Sequence, residues 1–320
     1  MRIVIPDDNF ELFTGTPALD KLRGLGEVRH YRDNAPDRES LLERVGDAEI
    51  ILTTRYQTDF KTTDLLEHIP GLKMIAVMGT RPRRIDMKRA REKGITVSCT
   101  PGASSPSIAE HTIMMVLALA KRLPAIVPAM REGGWPRADG IEIEGKTISL
   151  LGFGHIGAKV SRKAVGLGMR VIAWSRSMTP ERAAGHGAEA ASLDACLEAD
   201  FVSLHLHVTD ETRGIMSRET IAKMKPHAFL INTSRAALVD MEALIDALRE
   251  RRIVGAGIDV FEPEEPLPED SPYRSLDNVI LTPHSAWNTD GTVGRFLTML
   301  VENIEAFLKG APQNVVTEDV

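Results

Sequence analysis

Cysteine is scarce in this chain: Cys99 and Cys196 are the only two, far apart and without CxxC spacing. That excludes a disulfide-stapled scaffold and a thiolate zinc site, and it fits a reducing compartment. Long apolar runs are missing as well. The longest, Ile113 to Ala120, is too short to span a bilayer and has charges on either side. The opening MRIVIPDD turns acidic almost at once, so it does not read as the apolar core of a signal peptide. Positive charge is in deficit, with 39 Lys+Arg against 45 Asp+Glu and a formal net charge of −6. This leaves no electrostatic footprint for nucleic acid or an anionic membrane. Asn232-Thr233-Ser234 matches a glycosylation sequon, but it ends the apolar run AFLI and reads as a chance match. The expectation is a soluble, cytoplasmic protein with neither nucleic-acid nor membrane partners.

What is present is ordinary globular material. Hydrophobic residues make up 43% of 320 residues and charged residues 26%, which argues against disorder and is enough for two domains. The first hundred residues alternate strand candidates with helix-like stretches. RIVI (from Arg2), EVRHY (Glu27), EIILTT (Glu49), LKMIAV (Leu72) and ITVSC (Ile95) are the strands; ALDKL, RESLLERVG, TDLLEHI and DMKRAREKG are the helical patterns. Such alternation implies βαβ units and a parallel sheet covered on both faces. The breaker-rich segment Thr100 to Pro106 reads as a domain junction. A helix over Ser107 to Arg122, apolar nearly all round, should be buried. After a polar, Gly-rich stretch (Arg131 to Gly140), a second series offers TISLL (Thr147), RVIAW (Arg170), FVSLHL (Phe201), AFLIN (Ala228), VGAGIDV (Val254) and NVILT (Asn278). A last helix runs from about Asp290 to Lys309. The fold class is therefore α/β, with two doubly wound parallel-sheet domains.

The strongest local signal is Gly152-Phe153-Gly154-His155-Ile156-Gly157, which follows a strand, opens a helix and leads to another strand. A bare GxGxxG is weak, but this context is the one a dinucleotide fingerprint needs. Gly152 permits the tight turn, Gly154 lets a pyrophosphate approach the backbone, and Gly157 lets helix pack on strand. The helix amino terminus, at His155 and Ile156, supplies amides and a positive dipole end. About 20 residues on, an NAD site usually places a carboxylate on the ribose hydroxyls. Here Ser175, Arg176 and Ser177 stand instead, and no carboxylate comes before Glu181. A carboxylate would repel a 2′-phosphate; its absence beside an arginine favours NADP, with NAD possible.

Five ordered blocks resemble the D-isomer-specific 2-hydroxyacid dehydrogenases: PGASSPSIAEH (Pro101), LLGFGHIGAKV (Leu150), VSLHLHVTDETRGIM (Val202), MKPHAFLINTSRAALVD (Met224) and GAGIDVFEPEEPLPEDSPYRSLDNVILTPHSAW (Gly255). The resemblance runs from about Leu72 to the last helix. It implies a Rossmann nucleotide domain (100–289) inserted in a discontinuous flavodoxin-like substrate domain (1–99 and 290–320), with the active site in the cleft between them. It also implies a homodimer built through the nucleotide domains.

The resemblance further implies a catalytic Arg, Glu and His. Arg235 follows a strand, where α/β sites collect ligands, and a guanidinium there can clamp a carboxylate bidentately and polarise a 2-oxo group. The family usually continues Arg-Gly, whereas this chain has Arg235-Ala236, which matters only if the position needs φ > 0. His284, in LTPHSAW, aligns with the acid/base; reducing a ketone by hydride needs a proton for the new alkoxide, and imidazolium supplies one near pH 7. The glutamate would orient that ring and raise its pKa. Counting five residues on from Asp259 gives Glu264, while counting back from Pro-Leu-Pro gives Glu265; Glu264 is taken because the strand end is the more rigid ruler. By resemblance, Asp259 contacts the nicotinamide carboxamide and Thr233 lies beside the ring. The substrate carboxylate would meet backbone amides of the loop after the fourth strand, at Met78, Gly79, Thr80 and Arg81. The basic run Arg81-Pro82-Arg83-Arg84 is either a solvated turn or a preference for an extra anionic group. Trp135 and Trp287 are either pocket walls or packing.

The expected activity is an NADP-preferring reductase of small 2-oxo acids such as glyoxylate or hydroxypyruvate, needing no metal. A short phosphoglycerate dehydrogenase is the nearest alternative, since the chain ends at Val320 without room for the regulatory domain of the long forms. A glutamate rather than glutamine beside the histidine argues against formate dehydrogenase. A nucleotide-sensing corepressor is the alternative from another class.

Overall fold

The computed structural model describes residues 1–54, 58–62, 64–262 and 266–317, and the chain divides into two units. The first comprises Met1–Ser104 and Thr289–Val320; the second is Ser105–Asn288.

The first unit is a parallel sheet of β1 (Arg2–Ile5), β2 (Glu27–His30), β3 (Ile50–Thr53), β4 (Met74–Val77) and β5 (Thr96–Ser98), in the order β2-β1-β3-β4-β5. That is the flavodoxin-like order, with its switch point between β1 and β3. Strands β3 and β4 are buried along their whole length, as unbroken apolar runs covered on both faces require. Its longer helices start at side-chain caps: Thr16, Asp37, Asp86 and Thr289 each accept a hydrogen bond from a backbone N–H of the first turn. Thr63 of TDLLEHI lies outside the described residues, and the rest forms only a 3-10 turn, Leu65–Glu67. Asp64 before it is left-handed (φ 49°), and Pro70 lies too close behind for a longer helix. The returning helix Asp290–Leu308 packs on β4 and on the helix Pro17–Leu25. Asn303 on it is fully buried; its amide donates to the Cys99 carbonyl (2.8 Å), and its oxygen accepts from Asn314 (2.8 Å).

The second unit is a seven-stranded parallel sheet: β6 (Thr147–Leu151), β7 (Arg170–Trp174), β8 (Glu189–Ala190), β9 (Phe201–Leu204), β10 (Phe229–Asn232), β11 (Gly255–Ile258) and β12 (Val279–Leu281). The order is β12-β11-β10-β9-β6-β7-β8, two βαβαβ halves with a further edge strand, and it reverses between β6 and β9. β8 escaped the sequence reading because its two residues are both exposed and carry no apolar signal. The apolar helix spans Ser105–Ala120, and ten of its sixteen residues are buried. It packs on β10, β11 and β12 and against the helix His155–Gly166. The helix over Leu123–Arg131 is not among the sequence expectations. Pro124 sits in its first turn, where no amide is missed. Among the described residues no single helix is long and apolar enough to cross a membrane.

Candidate active site

All seven strands of the second unit run parallel, so their carboxyl ends share one edge, and the order reverses there between β6 and β9. Gly152 leaves β6 at φ +100°, and a Cβ on it would lie 2.4 Å from the carbonyl oxygen of His205, just after β9. Only glycine lets the two strand ends come this close. A Cβ on Gly157 would meet the Gly152 carbonyl at 2.5 Å, so this position holds helix to strand. A Cβ on Gly154 would meet nothing within 4 Å. Eight α-helices begin at an Asp, Ser or Thr cap, but His155–Gly166 begins at Gly154 with no side-chain acceptor. The space over Gly154 and these uncapped amides fit a dinucleotide pyrophosphate.

At the end of β7 the Ser175 hydroxyl is buried with no hydrogen-bond partner among the described residues. Arg176 is exposed and pairs with Glu211 (3.4 Å). Arg182, which the sequence reading passed over, reaches back across the loop. It donates to the Phe153 carbonyl (2.6 Å) and to the Ser177 hydroxyl (2.9 Å), joining the glycine turn to the place where a ribose 2′ substituent would lie. A neutral or basic group set of this kind fits either nicotinamide dinucleotide.

The ends of β10, β11 and β12 bring the remaining candidates together. Asn232 is 1% exposed; its amide donates to the Arg235 carbonyl (2.9 Å), and its oxygen accepts from the Ser234 amide (3.1 Å). This buried amide sets the turn that presents Arg235. Arg235 is half-buried and extended (φ −147°), with Nη1 donating to the Ser234 carbonyl (2.6 Å). Ala236 opens the 3-10 turn Ala236–Leu238 and is not among the positive-φ residues, so the missing family glycine brings no strain. Thr233 is buried, with its hydroxyl 3.1 Å from that of Thr112. Asp259 is 1% exposed and accepts from Thr282 Oγ1, the Ser285 amide (2.9 Å) and the Ala286 amide (3.1 Å). His284 lies within that turn, half-buried, at φ +53°. A cavity of about 470 Å³ opens beside it, lined by Phe261, Leu267, Arg274 and Leu281 among others. Glu264 and its rival Glu265 lie outside the described residues. His205 at the end of β9 was also passed over; desolvation pushes its imidazole down to about 4, and its Nε2 lies 3.0 Å from the Ser203 hydroxyl.

In the first unit the loop after β4 departs in one respect from the expectation. The Met78 amide is spent on the Thr53 carbonyl (3.0 Å), and the Gly79 amide on Thr100 Oγ1 (2.8 Å). Gly79, at φ +137°, turns the chain so that the Thr80 and Arg81 amides are left without an acceptor among the described residues. Trp135 is 89% exposed; Trp287 is half-buried. Both cysteine thiols are buried, and desolvation pushes each up to about 12, which leaves them unreactive.

A doubly wound sheet with a glycine turn at its switch point defines a dinucleotide-binding architecture. The model of the D-isomer specific 2-hydroxyacid dehydrogenase NAD binding domain matches residues 113–286. Glyoxylate reductase of Thermococcus litoralis is 38% identical over 306 residues, covering 92% of this chain and 91% of that protein. Hydroxypyruvate reductase of Thermotoga maritima is 38% identical over 272 residues, covering 84% and 87%. A solved acyclic imino acid reductase in complex with NADPH and D-Arg superposes with a TM-score of 0.83 at 29% identity, covering 99% of this chain and all of the other. The chain belongs to the D-isomer-specific 2-hydroxyacid dehydrogenases, and is an NAD(P)-dependent oxidoreductase of that family.

Proposed function

We propose that this protein is an NADP-preferring reductase of small 2-oxo acids, with glyoxylate and hydroxypyruvate as first candidates, giving D-2-hydroxy acids reversibly. The observation that carries the reading is the display of Arg235 and His284 at the same sheet edge as the open glycine turn. The nicotinamide supplies the hydride when bound. His284 gives its proton to the substrate's carbonyl oxygen, and Glu264 orients the imidazole. Arg235 clamps the carboxylate and polarises the carbonyl, so binding energy goes into orientation. We assign the first unit, with its Met78–Arg81 loop, to the substrate and the second to the dinucleotide. Thr233 and Asp259 would hold the nicotinamide end of a bound dinucleotide.

The preference for NADP is supported by Ser175, Arg176 and Ser177 in place of a carboxylate, and by Arg182 on the Ser177 hydroxyl. Glyoxylate reductase and hydroxypyruvate reductase relatives support the substrate class. A homodimer is supported by one apolar face on the second unit: Leu123, Val127 and Met130 are exposed along the helix Leu123–Arg131, with Trp135 just beyond. Two buried, unpaired thiols support a cytoplasmic location.

Initial rates with NADPH and NADH across glyoxylate, hydroxypyruvate, pyruvate and phosphohydroxypyruvate test the substrate and cofactor together. The expected result is highest kcat/KM with NADPH and one of the first two acids. His284→Ala should lower kcat by about 10²–10⁴; wild-type turnover in that variant overturns the mechanism.

A further inference from the structure

We propose that His111 is a positioning residue: its Nε2–H sets the proton order of a Thr282–Asp259 clamp, and the clamp holds the left-handed turn that carries His284. The inference rests on the reading of His284 as proton donor.

The turn is unusual in its backbone. Thr282 N donates to the Ile258 carbonyl (3.0 Å), and His284 N donates to the Thr282 carbonyl (2.9 Å), closing a three-residue turn. His284 then adopts φ +53°, a region that costs any residue with a Cβ. Strain of this kind persists only where the surroundings over-determine it. Asp259 does so from below. Its carboxylate takes the Thr282 hydroxyl on the amino-terminal side of His284 and the Ser285 and Ala286 amides on the carboxyl-terminal side. One buried carboxyl group thus grips both ends of the turn.

The clamp has a proton-counting condition. A threonine hydroxyl has one hydrogen to give. If Thr282 gives it to Asp259, any other polar atom within reach must be a donor. His111 Nε2 lies 3.0 Å from Thr282 Oγ1 and 3.7 Å from Asp259 Oδ1. It must therefore carry a hydrogen. The opposite tautomer would draw the Thr282 hydrogen toward the ring and release the amino-terminal half of the grip. Burial holds the His111 imidazole below its ordinary pKa, with Asp259 opposing, so the neutral ring with its proton on Nε2 satisfies every partner.

Placement supports the role independently. His111 lies on the buried helix Ser105–Ala120, one turn after Ser107 on the same face. Ser107 Oγ donates to the Ala286 carbonyl (2.7 Å), on the far side of the same turn. Two side chains four residues apart on one rigid helix thus hold the two flanks of the segment bearing His284.

The test uses the full-length enzyme, NADPH, and whichever acid of the panel the wild type turns over fastest. His111→Leu should lower kcat at least 30-fold while KM for the acid changes less than threefold. His111→Gln, whose amide N–H reaches the position of Nε2, should recover kcat to within about threefold of wild type. Nitrogen-15 NMR of labelled histidine should show His111 protonated at Nε2. A His111→Leu enzyme within threefold of wild-type kcat, equal losses in the two variants, or an Nδ1-protonated ring each overturns the proposal. If His284→Ala keeps wild-type turnover, the parent reading falls and this inference with it. If His284→Ala is inactive and His111→Leu is not, this inference alone falls.

Discussion

Asp7, two residues beyond β1, is 4% exposed: one carboxylate oxygen takes the Thr58 hydroxyl, and the other has no partner among the described residues. Burial is the main cause that raises its pKa from 3.8 to about 7, with the adjacent Asp8 adding to it and Thr58, Arg44 and Arg84 opposing. The folded state therefore holds this proton more tightly than the unfolded chain. The associated stability is full below about pH 4 and is lost as pH rises through about 7, to the extent of at most about 4 kcal/mol. Asp7→Asn should remove this slope and leave a protein more stable than wild type at pH 8, measured by urea midpoints at pH 5 and 8. An unchanged slope would show that Asp7 is solvated. Nothing in the sequence marked Asp7, because its desolvation comes from parts of the first unit remote in the chain. Arg235 and His284 could be nominated from the sequence, since each lies three residues beyond an apolar strand within a block that resembles the family. His111 and Asn232 were quoted within those blocks, yet their work is done through hydrogen bonds to residues 171 positions and three positions away.

Among the elements, the glycine turn separates two kinds of glycine. Gly152→Ala meets a backbone carbonyl at 2.4 Å with φ already +100°, so neither the methyl nor the chain has room. It should cost more than about 2 kcal/mol in a urea titration. Gly154→Ala, with open space around the position, should leave stability within about 1 kcal/mol yet weaken NADPH binding by at least tenfold, since the methyl stands where the pyrophosphate approaches. The loop after β7 gives a further test. Arg176 is held in an exposed pair with Glu211, whereas Arg182 spans the Phe153 carbonyl and Ser177. Arg182→Gln should therefore weaken 2′,5′-ADP binding, read by calorimetry, by at least tenfold, and 5′-AMP binding by less than threefold. Equal effects on the two nucleotides would place Arg182 in loop structure only. The strands were readable as apolar runs because parallel strands are buried on both faces. Helix Leu123–Arg131 was not, because it carries two prolines: Pro124 falls in the tolerated first turn, but Pro128 lies in the helix interior.

For the whole molecule, the open question is what covers the exposed face of Leu123, Val127 and Met130. If a second copy does, Val127→Asp with Met130→Asp should convert a dimer of about 70 kDa to a monomer of 35.1 kDa in sedimentation, without loss of the far-ultraviolet circular dichroism signal. A wild-type monomer at micromolar concentration would overturn the dimer. The chain's departure from the first unit was readable as the breaker-rich segment Thr100–Pro106, and a last helix near Asp290 was expected, but its return to the first unit was implied only by the family resemblance. The division itself falls after Ser104 and after Asn288.

The amino-acid order alone determined the two α/β sheets and the dinucleotide turn, and through the family resemblance it nominated Arg235 and His284. Apolar periodicity, glycine spacing and strand ends are local properties, and local properties survive in one dimension. Tertiary structure decided which groups carry those residues: the helix face of Ser107 and His111 on the His284 turn, the amide of Asn232 under Arg235, and the desolvation of Asp7 and His205. Hydrogen-bond direction and dielectric environment are set by neighbours in space, and a linear order does not name its spatial neighbours.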